Sequence, residues 1–432
     1  MSSPRLRARN AVLVVALGAL SFGLLVSTSR APYVPKAEGP ESIAYNPVYN
    51  ALRPTPPTPF YTPPDPLPIG LPGTIIKSEP MPEAPPGIRA TRIMYLSTST
   101  TGQPIAVTGM IAEPDAPTGP AGRPVVAFAH GTTGTARPCA PSIAPFTDQT
   151  VGTHMWEARM RPLVNQGYVV AAADYEGEGA PGDPVYMLKA AEAHNVLDSL
   201  RAAVYLAPDR IDAARMAIYG HSQGGHASLS AASLAPEYAP ELQLRGAVVS
   251  APGMIPPIPL ALAEMASNPG NEKEAAIRAS YMLNLASSWT TAFPDELSPS
   301  DLLTPEGVEA MNLAKSLCHD ALVKQMTKPF ASYVKPNPSL RVLNVVAQNM
   351  PVDRRVEMPI LMLQGMADTD VSPQLTVAAT QALCQHGSVV DTYFTESDPH
   401  ETLVWTARPA ELDWIADRFA GKPAPNTCTG QQ

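Results

Sequence analysis

Beyond Ile88 the chain alternates between short apolar runs and segments of helical periodicity, and this alternation restricts the possible folds more than any other feature. The apolar runs have the length expected of buried strands. They are Arg92–Leu96, Ile105–Ala112, Val125–Ala129, Val169–Ala173, Met216–Tyr219, Gly246–Ser250, Ile360–Leu363 and Val389–Phe394. The helical segments include Ala190–Leu206, Leu375–Cys384 and Glu411–Phe419. This order predicts an α/β domain with a mostly parallel central sheet, and Thr101-Gly102 predicts a hairpin between the first two strands.

One long stretch interrupts the alternation. Residues 253–346 have a mostly helical pattern and lie between two predicted strands. We interpret them as an inserted helical cap, called the lid below. The core of the domain is then expected in two parts, residues 88–252 and residues 347–432.

The first 30 residues have the composition of an export signal. Arg5, Arg7 and Arg9 precede an uncharged apolar run, Ala11–Val26, and small residues follow it. Residues 1–30 therefore predict a secreted or cell-envelope protein. Because no Ala-x-Ala cleavage site follows the run, an uncleaved signal anchor is the alternative, and it would hold the protein at a membrane or lipid interface.

Residues 31–87 are dominated by proline. Of the 50 prolines in the chain, 17 lie between Pro32 and Pro86. Proline lacks an N–H group and fixes φ, so we expect an extended segment without a helix or a central strand. The segment either wraps the domain surface or acts as a spacer, and its aromatic residues favour wrapping for the second half.

The overall composition narrows the range of partners. The net charge is −9, and charged residues make up 16% of the chain. Binding to nucleic acid needs clustered Lys and Arg to neutralise phosphates, so this composition argues against such a partner. With 45% hydrophobic residues the chain can bury a large core, which excludes disorder throughout.

A nucleophile motif follows one of the predicted strands. The segment Gly220-His221-Ser222-Gln223-Gly224 lies between that strand and a run of small residues with helical character. Strand, sharp turn and helix are the context in which Gly-x-Ser-x-Gly presents a reactive serine. The turn brings backbone segments together, so side chains at Gly220 and Gly224 would clash. Ser222 is therefore the predicted nucleophile.

A serine hydroxyl needs a base, and in this fold the acid and the histidine follow the serine along the chain. Asp368 and Asp370 both follow the strand Ile360–Leu363, at the sheet edge where active sites assemble. We expect Asp368 to be the acid and Asp370 to cap the next turn. His400 follows the last predicted strand, whereas His386 precedes it, so His400 is the predicted base.

The oxyanion hole requires two preorganised backbone N–H groups. One is expected from Gln223, directly after the nucleophile. The other is expected from the loop His130-Gly131-Thr132-Thr133-Gly134, called the oxyanion loop below, and Thr133 or Gly134 is the predicted donor. His130 itself is interpreted as a residue that fixes this loop.

Other polar residues fit structural roles better than catalytic ones. Asp174 and Glu176 lie in a glycine-rich turn and are interpreted as scaffold, and His221 and His226 as packing and hydrogen-bonding residues. The histidines lack the paired helical spacing of zinc enzymes. The sequence therefore predicts neither a metal nor another cofactor.

Four cysteines agree with export: Cys139, Cys318, Cys384 and Cys428. An even, small number in a secreted chain predicts two disulfides, for which three connectivities exist. The alternative is four buried thiols.

Read together, these motifs resemble the secretory lipase family, the lipase A-like branch of the α/β-hydrolases. The matching segments are Leu71-Pro72-Gly73-Thr74-Ile75-Ile76, Phe128-Ala129-His130-Gly131-Thr132-Thr133-Gly134, Cys139-Ala140-Pro141-Ser142, Asp174-Tyr175-Glu176-Gly177-Glu178-Gly179, Gly220-His221-Ser222-Gln223-Gly224-Gly225-His226 and Tyr238-Ala239-Pro240. The resemblance runs from about Tyr61 onward.

The resemblance implies an α/β-hydrolase core, a helical lid and carboxylester hydrolysis by a Ser-Asp-His triad, which maps onto Ser222, Asp368 and His400. It also implies that Cys139 pairs with Cys318 and that Cys384 pairs with Cys428.

The sequence thus predicts a secreted serine carboxylester hydrolase, a lipase or esterase that acts on an acyl ester or lipid substrate. It leaves acyl-chain length and oligomeric state open. Two alternatives are a cell-envelope acyltransferase with the same triad and a catalytically silent binding protein on the same fold.

Overall fold

The computed structural model describes residues 55–146, 155–255, 271–336 and 339–430, and in these residues nine strands form one mostly parallel sheet. The strands are β1 (Ile75–Pro80), β2 (Ile88–Thr98), β3 (Pro104–Pro114), β4 (Arg123–Ala129), β5 (Val169–Ala173), β6 (Ile211–His221), β7 (Leu244–Ser250), β8 (Ile360–Gly365) and β9 (Val390–Thr395). Their order across the sheet is β1-β2-β3-β5-β4-β6-β7-β8-β9. The pairs β1–β2, β2–β3 and β3–β5 are antiparallel. The other five neighbouring pairs, from β5–β4 to β8–β9, are parallel.

Helices flank this sheet or lie in the insertion. They are α1 (Arg161–Asn165), α2 (Lys189–Leu206), α3 (Gln223–Tyr238), α4 (Glu272–Ala292), α5 (Pro299–Leu302), α6 (Pro305–Ala314), α7 (His319–Gln325), α8 (Leu340–Asn349), α9 (Pro373–Gln385), α10 (Leu403–Thr406) and α11 (Arg408–Phe419). Every predicted strand and helix overlaps one of these elements, and the predicted hairpin is the β2–β3 pair. The prediction of an α/β fold with a mostly parallel sheet is confirmed.

Side chains of the central strands alternate between two apolar layers. Val125 and Ala127 of β4 lie in the layer covered by α2 and α3, whereas Val126 and Phe128 lie in the layer covered by α1 and α11. This period of two puts both faces of the strand out of water. Each fully buried aliphatic side chain of this kind contributes about 1.5–3 kcal/mol relative to an exposed one.

The sheet begins earlier than the predicted core, inside the proline-rich segment 31–87. Strand β1 pairs with β2 at the edge of the sheet, and it ends at Pro80. An edge strand tolerates proline because one side of its backbone needs no partner. The described part of the segment contains a three-residue 3₁₀ helix, Pro59–Tyr61, and the edge strand β1, so the sheet extends beyond the predicted core boundary at residue 88.

The described part of the proline-rich segment contacts the domain, as wrapping requires. Tyr61 is fully buried, and its hydroxyl lies 2.9 Å from Ser142 Oγ. Arg137 donates a hydrogen bond to the Tyr61 carbonyl at 3.2 Å. By contrast, Ile69 and Leu71 of the same segment are exposed.

The helices α4 to α8 lie between β7 and β8 in sequence, where the lid is predicted. Residues 256–270 of the lid lie outside the described residues, as does the predicted export signal, residues 1–30. Among the described helices, none has the length and hydropathy required to cross a membrane.

Candidate active site

Ser222 occupies the sharp turn between β6, which ends at His221, and α3, which begins at Gln223. Its backbone has φ +61° and ψ −124°, a strained conformation for a residue with a side chain. The two glycines of the motif make this turn sterically feasible. A Cβ atom on Gly220 would lie 2.1 Å from the Gly224 carbonyl oxygen, and one on Gly224 would lie 2.0 Å from the Ala129 carbonyl oxygen.

Backbone hydrogen bonds hold the strained turn in place. The Ser222 N–H donates to the Ser250 carbonyl at 3.0 Å, at the end of β7. The Ser222 carbonyl accepts from the N–H groups of His226 at 3.1 Å and Gly253 at 2.8 Å. The turn is therefore fixed by α3, by the neighbouring strand and by the first residue of the lid.

Asp368 and His400 form a buried pair. His400 Nδ1 lies 2.6 Å from Asp368 Oδ2, although the two residues are far apart in sequence. The carboxylate accepts the Nδ1 proton, so Nε2 is the nitrogen available as a base. His400 Nε2 is buried and has no hydrogen-bond partner among the described residues.

Several hydrogen bonds hold the Asp368 carboxylate in place, and one of them comes from the backbone N–H of Asp370. Asp368 Oδ1 accepts the backbone N–H groups of Asp370 at 2.9 Å and Val371 at 2.8 Å. Gln364 donates its side-chain amide to Asp368 Oδ2 at 3.0 Å. These bonds orient the carboxylate toward His400, and they distinguish the two aspartates that the sequence offered.

His221 brings the His400 ring to the nucleophile turn. The rings of His221 and His400 lie 4.4 Å apart between centroids, and His221 Nε2 lies 3.2 Å from the His400 carbonyl oxygen. A carbonyl only accepts, so this nitrogen donates. The contact therefore places His400 against His221, the residue that directly precedes the predicted nucleophile.

The pKa of His400 results from two opposing effects. Burial by itself would lower it, but the charge of Asp368 and its hydrogen bond outweigh burial and raise the pKa to about 9. The pair therefore favours a protonated ring, as in the charged intermediate of serine hydrolases.

The oxyanion loop runs between the nucleophile and the lid. A Cβ atom on Gly131 would lie 3.7 Å from Ser222 Cβ, so this part of the loop borders the serine. Thr133 accepts the His319 N–H at 2.7 Å through its carbonyl. Gly134 has φ +120°, and a Cβ atom there would meet Cys318 Cα at 2.9 Å. The two predicted donors thus lie where the loop contacts the lid, and their roles remain predictions.

Both disulfides implied by the resemblance are present. Cys139 is bonded to Cys318, and Cys384 is bonded to Cys428. The first joins the segment after the oxyanion loop to the residue before α7 of the lid. The second joins α9 to the C-terminal tail.

A buried polar cluster supports the oxyanion loop from behind. His130 Nδ1 lies 2.8 Å from the Gly131 carbonyl oxygen, and His130 Nε2 lies 3.1 Å from Glu178 Oε2. Asp174 accepts hydrogen bonds from Ser142, and burial raises the pKa of Glu176 to about 7. These contacts agree with the interpretation of His130, Asp174 and Glu176 as scaffold. In the described parts of the chain, no group of three or more His, Cys, Asp or Glu is arranged to hold a metal ion.

Known lipases are similar to this chain in sequence. The model of a family described as secretory lipase matches residues 144–263. Lipase A of Arthroderma benhamiae is 26% identical over 454 aligned residues, which cover 97% of this chain and 88% of that protein. The chain is similar in sequence to the secretory lipases.

Two further comparisons describe how far this relationship extends. A Mycobacterium tuberculosis protein named as a probable inactive lipase is 24% identical, and the alignment covers 84% of this chain and 82% of that protein. The structure of Candida antarctica lipase A in its closed state matches with a TM-score of 0.72 at 21% identity, over 87% of this chain and 90% of that one. The predicted α/β-hydrolase fold and the predicted class, a carboxylic ester hydrolase of the lipase or esterase type, are confirmed at the level of the family.

Sequence reasoning missed two residues that contact the predicted site residues. Gln364 donates to the Asp368 carboxylate, and Glu192 accepts the side-chain amide of Gln223 at 2.9 Å, but neither residue lies in a recognisable motif. The position of Gln364 at the end of β8, four residues before Asp368, was the available signal. Glu192 gave no signal beyond its place on the inner face of a helix.

Proposed function

We propose that the chain is a secreted serine carboxylester hydrolase that cleaves acyl esters of lipids through Ser222, Asp368 and His400. The observation that carries this proposal is the 2.6 Å contact between His400 and Asp368 next to the strained Ser222 turn. It supplies an oriented base with an unpartnered nitrogen at the residue that the motif marks as the nucleophile.

The first half-reaction is acylation. His400 Nε2 takes the Ser222 hydroxyl proton as Ser222 Oγ attacks the ester carbonyl carbon. The carbonyl π electrons move to oxygen, and the N–H of Gln223 and a second donor from the oxyanion loop, Thr133 or Gly134, stabilise that charge. His400 then gives its proton to the leaving alcohol, and the acyl group stays on Ser222.

The second half-reaction is deacylation. His400 removes a proton from water, the hydroxide attacks the acyl carbonyl, and the bond to Ser222 Oγ breaks as His400 returns the proton to the serine. Asp368 remains ionised throughout and stabilises the charged imidazole. No metal or organic cofactor takes part in this scheme.

Secretion forms part of the proposal. Two disulfides and the likeness to secretory lipases are consistent with an oxidising compartment. The predicted signal in residues 1–30 would direct export. Cleavage is tested by N-terminal sequencing of the protein recovered from culture medium and from the cell envelope.

Replacing the nucleophile tests the proposal. Ser222→Ala should lower kcat for p-nitrophenyl esters by a factor on the order of 10⁶, since the covalent step is lost. The unfolding free energy of the variant should stay close to that of the wild type, which shows that the loss is chemical. Full activity in Ser222→Ala would overturn the assignment. Separately, wild-type activity on p-nitrophenyl esters from C2 to C18 defines the preference for acyl-chain length.

The two alternatives give different results with the wild-type protein. A fluorophosphonate should label Ser222 in either a hydrolase or an acyltransferase, whereas a silent binding protein should not react. One relative is named as an inactive lipase, so this labelling is the first experiment. An added alcohol acceptor separates the remaining two, since an acyltransferase would form the new ester in preference to free acid.

A further inference from the structure

A buried carboxylate–imidazole pair lies beneath the nucleophile turn, apart from the triad. Glu192 Oε2 of α2 lies 2.6 Å from His226 Nδ1 of α3, and both residues have 0% exposure. His226 Nε2 lies 2.8 Å from the Asn349 carbonyl oxygen, at the C-terminal end of α8. Since that carbonyl only accepts, Nε2 donates, and the pair joins two core helices to the last helix of the lid.

The second oxygen of the same carboxylate reaches the residue after the nucleophile. Glu192 Oε1 accepts the side-chain amide of Gln223 at 2.9 Å. It also accepts the Met187 N–H at 2.9 Å, and Met187 has φ +56°. One carboxylate oxygen of Glu192 therefore binds both Gln223 and the strained residue Met187. His226, which binds the other oxygen, lies one helical turn after Gln223 on α3.

The cost of burying these groups argues for a specific use. A buried charged or polar pair is often no more stabilising than apolar side chains of the same size. Among the described residues, no hydrogen bond of Glu192 reaches Ser222, Asp368 or His400. One of its contacts instead reaches the side-chain amide of Gln223, whose backbone N–H is the proposed first oxyanion donor.

We propose that Glu192 and His226 are positioning residues that fix Gln223 so that its N–H points at the developing oxyanion. This inference rests on the proposed function. An oxyanion donor acts on the transition state, so its displacement lowers kcat and leaves substrate binding largely unchanged. Displacements of about 1 Å in a catalytic site cost roughly 10²-fold in rate.

Glu192→Gln tests the pair. The substitution keeps the size of the side chain but removes its charge, and it replaces one of the two acceptor oxygens with an NH2 group, which donates hydrogen bonds and cannot accept them. We expect kcat per fluorophosphonate-titrated site to fall about 10- to 100-fold, with KM within about 3-fold of the wild type. Binding of an alkyl boronic acid, whose tetrahedral adduct needs the oxyanion hole, should weaken by a similar factor.

Asp198→Asn is the matched control. Asp198 lies on the same helix, is equally buried, and accepts hydrogen bonds from Ser97 at 2.7 Å, Tyr238 at 2.8 Å and Arg201 at 2.8 Å, away from the nucleophile turn. It should lose stability, as Glu192→Gln does, but keep kcat and boronic acid affinity. A Glu192→Gln enzyme with unchanged kcat and boronic acid affinity would overturn the proposal.

Gln223→Met provides a second, milder test. It removes the amide that Glu192 holds but keeps the backbone N–H and the Glu192–His226 pair, so it carries the test if Glu192→Gln does not fold. The expected kcat loss is again about 10-fold or more, and wild-type kcat would overturn the proposal. Turnover by the wild-type protein tests the proposed function separately, because only variant-to-wild-type ratios bear on the pair.

Discussion

Two aspartates lie two positions apart after β8, and their contacts give them different roles. Asp368 meets His400 Nδ1 at 2.6 Å, whereas Asp370 donates its backbone N–H to Asp368 Oδ1. The sequence places both at the sheet edge and favours Asp368 as the acid, but spacing alone does not exclude Asp370. The rank follows from the tertiary position of a histidine some thirty residues further along the chain.

Asp368→Asn should therefore lower kcat by a factor on the order of 10⁴, because the amide no longer fixes the tautomer and charge of His400. Asp370→Asn keeps the backbone N–H that Asp368 accepts and should retain most of the activity. Steady-state kinetics on a p-nitrophenyl ester compare the two. A larger loss in Asp370→Asn would reverse the assignment of the acid.

The pH profile should report the Asp368–His400 pair. Burial lowers the pKa of His400, but Asp368 raises it to about 9, above the usual 6.5 of histidine. Because only the neutral ring acts as a base, kcat/KM should rise with pH toward about 9. Since the folded-state pKa is raised, the stability that this pair contributes is present below about 6.5 and is lost as pH rises through about 9. An activity midpoint at or below 6.5 would contradict this balance.

At the scale of elements, the strand β6, the turn at Ser222 and the helix α3 act as one unit. The strained serine conformation persists because β4 and β7 lie against the turn, and a side chain at Gly220 would clash with α3 while one at Gly224 would clash with β4. This unit was predictable because its steric requirement is local. Strand β1 was not predicted as part of the core, since it lies in the proline-rich segment and ends at Pro80, which an edge position tolerates.

Gly224→Ala should destabilise this unit by about 1–3 kcal/mol or more, because its Cβ would lie 2.0 Å from the Ala129 carbonyl oxygen. Gly119→Ala is the control, as a Cβ there meets nothing within 4 Å. Urea denaturation gives the free energy of unfolding of each variant. Equal stability of the two variants would show that the turn relaxes without cost.

At the scale of the whole molecule, two attachments fasten the lid and the helix α8 to the core. The Cys139–Cys318 disulfide joins it to the segment after the oxyanion loop, across a sequence separation of 179 residues. At the end of α8, which begins in the lid, the Asn349 carbonyl accepts a hydrogen bond from His226 Nε2 at 2.8 Å, and Asn349 Oδ1 accepts one from the Lys189 N–H at 3.0 Å. These attachments connect the lid and α8 directly to the segment after the oxyanion loop and to the helix that follows Ser222.

Removing each disulfide in turn should show which of the two bonds affects activity as well as stability. Chain entropy predicts losses of at most about 5 kcal/mol for Cys139→Ser/Cys318→Ser and about 4 kcal/mol for Cys384→Ser/Cys428→Ser. Only the first pair should also lower kcat, since it borders Gly134 in the oxyanion loop. Thermal unfolding and ester hydrolysis check this. Equal kcat losses in both variants would contradict a specific role for the first bond.

The sequence by itself determined the α/β class, the nucleophile turn and the candidate acid and base, because periodicity and the steric demands of glycine are local. Four cysteines were visible as well, but their pairing came from resemblance. Only the tertiary structure decided which aspartate meets His400, that β1 joins the sheet, and that Glu192 lies beneath Gln223. Those relations depend on distances between residues that are remote along the chain, and such distances are fixed by how the helices pack against the sheet.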